Sequence, residues 1–129
     1  MEGAEAIVIE DDPAARRVLA ECLRRMGLRV LEAATGEEGS ALLDRTTPSL
    51  ICLDLGLPDC SGLSLCEKAR ASARLRDVPV LVITGQAHPQ DRERAELAGV
   101  DGYIVKPFDP AALTRSVREL IGLSIVAAS

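Results

Sequence analysis

The run Val80-Leu81-Val82-Ile83 contains no polar residue and is rich in β-branched side chains. A strand with nothing polar on either side needs cover on both faces. A parallel sheet sandwiched between helices provides that cover. A second run, Leu50-Ile51-Cys52-Leu53, has the same character and ends abruptly on Asp54. The loop after it carries Gly56, Pro58 and Gly62, residues that favour turns. A strand whose only acid is at its last position presents that acid at the carboxyl edge of its sheet. Open α/β sheets place their sites at that edge.

The rest of the chain repeats this strand-then-helix unit. Residues 6–10, AIVIE, form an apolar strand that runs into Asp11 and Asp12. Asp12-Pro13 is an N-cap followed by a first-turn proline, and it opens a helix to about Met26. Ala15, Val18, Leu19, Cys22, Leu23 and Met26 recur at helical spacing as its buried stripe, and Gly27 stops it. Residues 28–33 read as a second strand. Thr35 with Glu38 is a capping box for a helix to about Arg45. The third helix spans about Leu63 to Ser72, with Leu63, Cys66, Ala69 and Arg70 as its repeating positions. A fourth runs from about Pro89 to Ala98, with His88 in the loop before it. Residues 102–108, GYIVKPF, form a fifth strand with Lys106 at its end. Asp109-Pro110 repeats the cap-then-proline device and opens a last helix to about Ile121, leaving 122–129 as a tail. Five such units predict an α/β fold, a parallel sheet with helices on both faces in the order 2-1-3-4-5. The switch point then falls between strands 1 and 3.

Composition narrows the function. The 129 residues suit a single domain with a core at about 6–121. One Tyr and one Phe mean that the core is aliphatic. A net charge of −5 argues against non-specific binding to nucleic acid or an anionic membrane. No apolar run reaches spanning length, and the N-terminus lacks the basic start of a signal peptide, so the expected compartment is the cytoplasm. Four cysteines and one histidine form no zinc ligand set, and the cysteines are expected to be reduced packing residues.

The polar strand ends are Glu10, Asp11, Asp54, Thr84 and Lys106, all on one edge. Three carboxylates close together repel one another unless a cation sits among them. Oxygen ligands suit Mg²⁺, with Mn²⁺ as a substitute. A metal, an ammonium and a hydroxyl together cradle a phosphoryl group, and Asp54 is the central nucleophile. Gly85 leaves room for that group to enter. A phosphohydrolase with an aspartyl nucleophile wants a second acid two residues on, and position 56 is Gly. A receiver-like fold used only as an interaction module is the other alternative.

The segments IVIEDDP, LICLDLGLPDCSG, VLVITG and GYIVKPF, in this order and spacing, resemble those of the response-regulator receiver domain of two-component signalling. The likeness covers residues 6–121 and includes the chemotaxis receivers. It implies a doubly wound, flavodoxin-like (βα)5 fold and no turnover enzyme. It makes Asp54 the phosphoacceptor. It gives Mg²⁺ to Glu10, Asp11, Asp54 and the Gly56 carbonyl, and the phosphoryl oxygens to Thr84 and Lys106. It also implies a cis Lys106–Pro107 bond and Tyr103 as a switch aromatic coupled to Thr84. The implied phosphodonor is a sensor histidine kinase or histidine phosphotransfer protein. The implied output is a downstream protein or domain reached through helix 4, strand 5 and helix 5, with no direct nucleic-acid or membrane contact. A free-standing receiver and a segment of a larger regulator or hybrid kinase both fit. Gly56 and Gln86 hold the two positions that tune hydrolysis of the acyl phosphate in this family. Gln86→Ala is therefore expected to change the phosphoryl lifetime more than Asp12→Ala does, and equal lifetimes would reject a tuning role for Gln86.

Overall fold

The structure, a computed structural model, describes residues 4–85 and 88–128, with side chains as far as 122. Five strands and five helices alternate: β1 Glu5–Ile9, α1 Pro13–Arg25, β2 Arg29–Ala33, α2 Gly36–Arg45, β3 Leu50–Leu53, α3 Gly62–Ala71, β4 Val80–Thr84, α4 Pro89–Leu97, β5 Gly102–Val105 and α5 Pro110–Ala128. The strands form one sheet in the order β2-β1-β3-β4-β5, and every pairing is parallel. The three inner strands are the apolar ones. The outer strands β2 and β5 are partly exposed, as their mixed sequences require.

Period-two alternation divides the core in two. Ala6, Val8, Leu50, Cys52, Leu81 and Ile83 point to one face. There they meet Leu19 and Leu23 of α1 and Leu113, Val117 and Ile121 of α5. Ile7, Ile9, Ile51, Leu53, Val80 and Val82 point to the other, against Leu42 and Leu43 of α2 and Leu65, Cys66 and Ala69 of α3. The four cysteines are free, and burial pushes the Cys52 thiol up to about 12.

The helix starts follow the sequence signals. Asp12 accepts the Ala15 N–H at 3.3 Å, Thr35 accepts the Glu38 N–H at 3.1 Å, and Asp109 accepts the Ala111 N–H at 3.0 Å. Glu38 reaches back one residue past the cap and accepts the Ala34 N–H at 3.2 Å. His88 is exposed and caps α4, its Nδ1 accepting the Gln90 N–H at 3.2 Å.

Four details differ from the sequence expectation, the first being that β5 ends at Val105 rather than running to 108, so that Lys106 lies just past the strand. Val18 is 42 % exposed, because α1 turns Leu19, Ala20 and Leu23 inward and leaves Val18 on the rim. In α3, Leu65 is buried whereas Leu63 is only partly covered. The last helix continues to Ala128 rather than stopping near Ile121, since no proline interrupts 122–128.

Arg70 is the main tie between α3 and the loops on either side of β4. Its guanidinium donates to the Gly99 carbonyl (2.7 and 3.0 Å), the Val78 carbonyl (2.7 Å), the Arg76 carbonyl (3.1 Å) and Asp101 Oδ2 (2.7 Å). Asp101 Oδ2 also accepts the Val80 N–H at 2.8 Å. Gly99 has φ +93°, and a Cβ there would lie 3.0 Å from Arg70 Nε. Arg70→Met leaves these acceptors unpaired and is expected to cost about 2–4 kcal/mol in urea unfolding. Arg70→Lys should recover less than half of that, because one ammonium cannot reproduce the fork. An unchanged unfolding midpoint in Arg70→Met would contradict the role.

Candidate functional site

The carboxyl ends of β1, β3, β4 and β5 place the predicted groups. Backbone bonds carry the sheet one residue past two of its strands. The Glu10 N–H reaches the Ala33 carbonyl and the Asp54 N–H reaches the Ile9 carbonyl, both at 3.0 Å. Glu10 and Asp54 are therefore fixed by the ladder and not by a mobile loop. Glu10 is 1 % exposed, Asp54 7 % and Thr84 1 %, whereas Asp11 lies open to solvent.

Lys106 reaches back across the edge. Its ammonium pairs with Asp54 Oδ2 at 3.0 Å and with Glu10 Oε1. The Lys106 N–H bonds to the Thr84 carbonyl at 2.8 Å, and the Lys106–Pro107 peptide is cis, as the resemblance implied. Asp54 Oδ1 accepts the Gly56 N–H at 3.0 Å, and Glu10 Oε2 accepts the Asp12 N–H at 3.2 Å.

Glu10, Asp11 and Asp54 each offer an oxygen, and these atoms lie within 4.8 Å of one another. Three carboxylates face one ammonium, so a fully ionised cluster carries two uncompensated negative charges. Glu10 Oε1 is buried and, beyond its charge contact with Lys106, accepts no hydrogen bond. An all-oxygen donor set with excess negative charge, and a buried oxygen partnered only by an ammonium shared with Asp54, fits a hard divalent cation.

The local charges act differently on each group. Burial dominates at Glu10. With the neighbouring Asp54 it outweighs Lys106 and pushes the Glu10 carboxyl up to about 7. Burial also raises Asp54, but the Gly56 N–H, Lys106 and Glu10 outweigh it and hold that carboxyl below the usual range. At Lys106 burial favours the neutral amine, yet the two carboxylates overcome it and raise its pKa. At neutral pH the site thus holds an ionised Asp54 beside a charged ammonium.

Tyr103 sits on β5, half-buried, with the Arg92 guanidinium 5.7 Å above its ring centroid. Gln86 lies outside the described residues. Arg16 joins the site without a sequence signal: Nη1 donates to the Glu10 carbonyl at 2.9 Å, and Nε faces Glu32 at 3.5 Å. An apolar groove lined by Ala14, Ala15, Val18, Pro107 and Phe108 opens beside Lys106. A broader cleft between α3 and α4 is lined by Leu63, Arg70, Arg94 and Leu97. It contains none of the strand-end acids, which gather at the open sheet edge.

Comparison with known proteins agrees with this geometry. The response regulator receiver domain model matches residues 6–118. The chemotaxis protein CheY1 of Helicobacter pylori is 33 % identical over 118 residues, covering 90 % of this chain and 95 % of its own. The DNA-binding dual master transcriptional regulator RpaA of Synechocystis is 36 % identical over 115 residues, covering 89 % of this chain and 48 % of its own. The chain thus spans about half the length of the transcriptional regulators it matches. A CheY-like receiver domain protein from Methanospirillum hungatei superposes with a TM-score of 0.90 at 28 % identity, covering 96 % of this chain and 98 % of its own. The receiver domain of the sensor histidine kinase PA1611 from Pseudomonas aeruginosa has a TM-score of 0.85 at 34 % identity, with coverage of 93 % and 98 %. That structure has a magnesium ion coordinated in its active-site cleft.

The Glu10 shift has a testable sign. Between 4.5 and about 7 the folded chain holds a proton that the unfolded chain has released. Metal-free stability therefore falls as pH rises through that window. The contribution of Asp54 has the opposite sense and a lower range: it is present above 3.8 and is lost as pH falls through the folded value. Thermal midpoints without metal should drop between about pH 5 and about pH 7.5, and Glu10→Gln should remove the slope. Mg²⁺ competes for the Glu10 proton, so its affinity should rise through about pH 7 in wild type only. A flat metal-free profile in wild type would contradict the assignment.

Proposed function

The chain belongs to the response regulator receiver domain family, and from that membership we propose that it accepts a phosphoryl group on Asp54 from a phosphohistidine of a partner protein. The observation that carries the reading is Lys106 bridging Glu10 and Asp54 across three strand ends. That contact gathers a nucleophile, a compact cation and a candidate metal site at one point.

Asp54 is the nucleophile because its carboxyl is held below the usual range and stays ionised. Glu10 is unsuited to that task, being almost wholly buried and protonated up to about 7. An Asp54 oxygen attacks phosphorus, and an O–P bond forms as the N–P bond to the donor imidazole breaks. The imidazole nitrogen leaves with the electron pair. Lys106, already 3.0 Å from Asp54 Oδ2, offsets charge on the phosphoryl oxygens, and Thr84 at the neighbouring strand end offers its hydroxyl. Mg²⁺, held by Glu10, Asp11, Asp54 and the Gly56 carbonyl, supplies charge neutralisation for those same oxygens when bound. The receiver releases no product of its own beyond loss of the phosphoryl group to water, so it acts as a switch.

The new group adds about −1.5 to −2 charges beside Thr84 and Lys106. The readout face is α4, β5 and α5. Ala95 is the only buried residue of α4, and Leu97 is 84 % exposed, so this helix is lightly seated. Tyr103 lies on that face, and its movement with Thr84 is the proposed relay to a downstream protein or output domain. No described helix is long and apolar enough to cross a membrane, and a cytoplasmic location suits a partner of this kind.

The test is intact mass after incubation with Mg²⁺ and acetyl phosphate. Wild type should gain one phosphoryl, dependent on Mg²⁺, and Asp54→Asn should gain none. An equal adduct on both proteins would overturn Asp54 as the acceptor.

A further inference from the structure

Gly56 would offer the metal a main-chain carbonyl, yet it is exposed and has no side chain with which to anchor itself. The loop around it supplies part of the hold. The Gly62 N–H bonds to the Leu55 carbonyl at 2.9 Å, and Gly56 pairs with Ser61 as an antiparallel bridge. Residues 55–62 thus form two short legs, with Asp59 near the tip between them. The Gly56 N–H is also tied to Asp54 Oδ1 at 3.0 Å, and Leu55 and Leu57 are buried in the core, so the base of the loop is held to the sheet while its exposed tip is left free to rock against α2.

Asp59 closes that freedom. Its Oδ1 accepts the Gly36 N–H at 2.7 Å, and its Oδ2 accepts the Glu37 N–H at 2.9 Å. These are the first two N–H groups of α2, which have no partner within their own helix. The next two are satisfied locally, Glu38 by the Thr35 hydroxyl and Gly39 by the Thr35 carbonyl. The helix therefore draws the partners of its first two N–H groups from a loop more than twenty residues away in sequence. Glycine at 36 permits the approach, since a Cβ there would lie 2.2 Å from Cys60 Sγ and 3.1 Å from Asp59 Oδ1. The Gly36 and Glu37 N–H groups hold the Asp59 carboxyl below its usual range, so the clamp is charged at neutral pH. At a helix N-terminus that charge is favoured by the helix dipole as well.

We propose that Asp59 is a positioning residue for the divalent cation, clamping the tip of the 54–62 loop to the first turn of α2 so that the Gly56 carbonyl is held toward Glu10, Asp11 and Asp54. The inference rests on the reading of Gly56 as a metal ligand. It also makes α2 a supporting element of a site to which it contributes no ligand.

Mg²⁺ affinity of the unphosphorylated protein, measured by calorimetry, tests it. Asp59→Ala should weaken Mg²⁺ about tenfold, in line with the loss of an outer-shell partner. Asp59→Asn, which keeps one acceptor oxygen, should fall between that variant and wild type. Thr35→Ala removes a different cap from the same end of α2. Its unfolding midpoint should drop at least as far as that of Asp59→Ala, while its Mg²⁺ affinity stays within about twofold of wild type. Equal loss of Mg²⁺ affinity in Asp59→Ala and Thr35→Ala would reduce Asp59 to a helix cap and overturn the proposal. So would unchanged affinity in Asp59→Ala while wild-type binding is abolished by Asp54→Asn. If wild type binds no Mg²⁺ at all, the metal site itself fails and the positioning role with it.

Discussion

Like charges at close range set the terms for this structure. Glu10, Asp11 and Asp54 converge at one sheet edge, and two of them are buried there. Lys106 is the single cation that the described residues place against both buried acids. One ammonium cannot balance three carboxylates, and burial, with the Gly56 N–H and Lys106 on the other side, divides the two buried acids in how they titrate. Glu10 holds its proton up to about 7, and Asp54 gives its own up early. A rigid sheet is what makes so strained an arrangement tolerable. Glu10 and Asp54 sit one residue beyond strands that are almost wholly buried, and their ladder bonds fix the backbone from which both carboxylates project. The energy to hold them together comes from the two aliphatic layers beneath.

Much of this was legible in the chain itself, because the strongest signals are local. Val80–Thr84 suits an inner parallel strand, and Asp12-Pro13 and Asp109-Pro110 read as a cap followed by a first-turn proline, as the structure bears out. Once the order β2-β1-β3-β4-β5 is accepted, β1 and β3 are neighbours and their terminal acids must meet. What stayed hidden depends on partners far apart in sequence. Arg16 reaches the Glu10 carbonyl by way of a helix turn. Arg70 has the spacing of a packing residue and instead binds four acceptor groups across two loops. Asp59 reads as a turn residue, and its role appears only when α2 is laid beside the loop. Val18 matches the apolar period of α1 but lies at its edge, where periodicity alone cannot tell the core from the rim. The extension of α5 to Ala128 has the same origin, since nothing in 122–128 forces either a stop or a continuation.

The molecule divides into a firmly tied part and a lightly tied part. Asp59 secures the loop after β3, and Arg70 secures the end of α4 through Gly99 and Asp101. The body of α4 is charged nearly all round and buries only Ala95. Arg92 bridges it to Tyr103 through the face of the ring. A helix held at its last turn and weakly along its length can shift at modest cost, and the firmly held acids can keep their geometry while it does. That division suits a switch, in which chemistry at one edge must be reproducible and the response at the adjoining face must be inexpensive.

The most direct test of the site is a crystal structure with Mg²⁺ and beryllofluoride, a mimic of the phosphoryl group. The beryllium should be bonded to an Asp54 carboxylate oxygen, with its fluorides within hydrogen-bond distance of the Thr84 hydroxyl and the Lys106 ammonium. One metal ion should be held by the Glu10, Asp11 and Asp54 carboxylates and the Gly56 carbonyl. Beryllium bonded to Asp11 or Asp12, or a metal bound away from the Gly56 carbonyl with Lys106 still paired to Glu10 alone, would contradict the account.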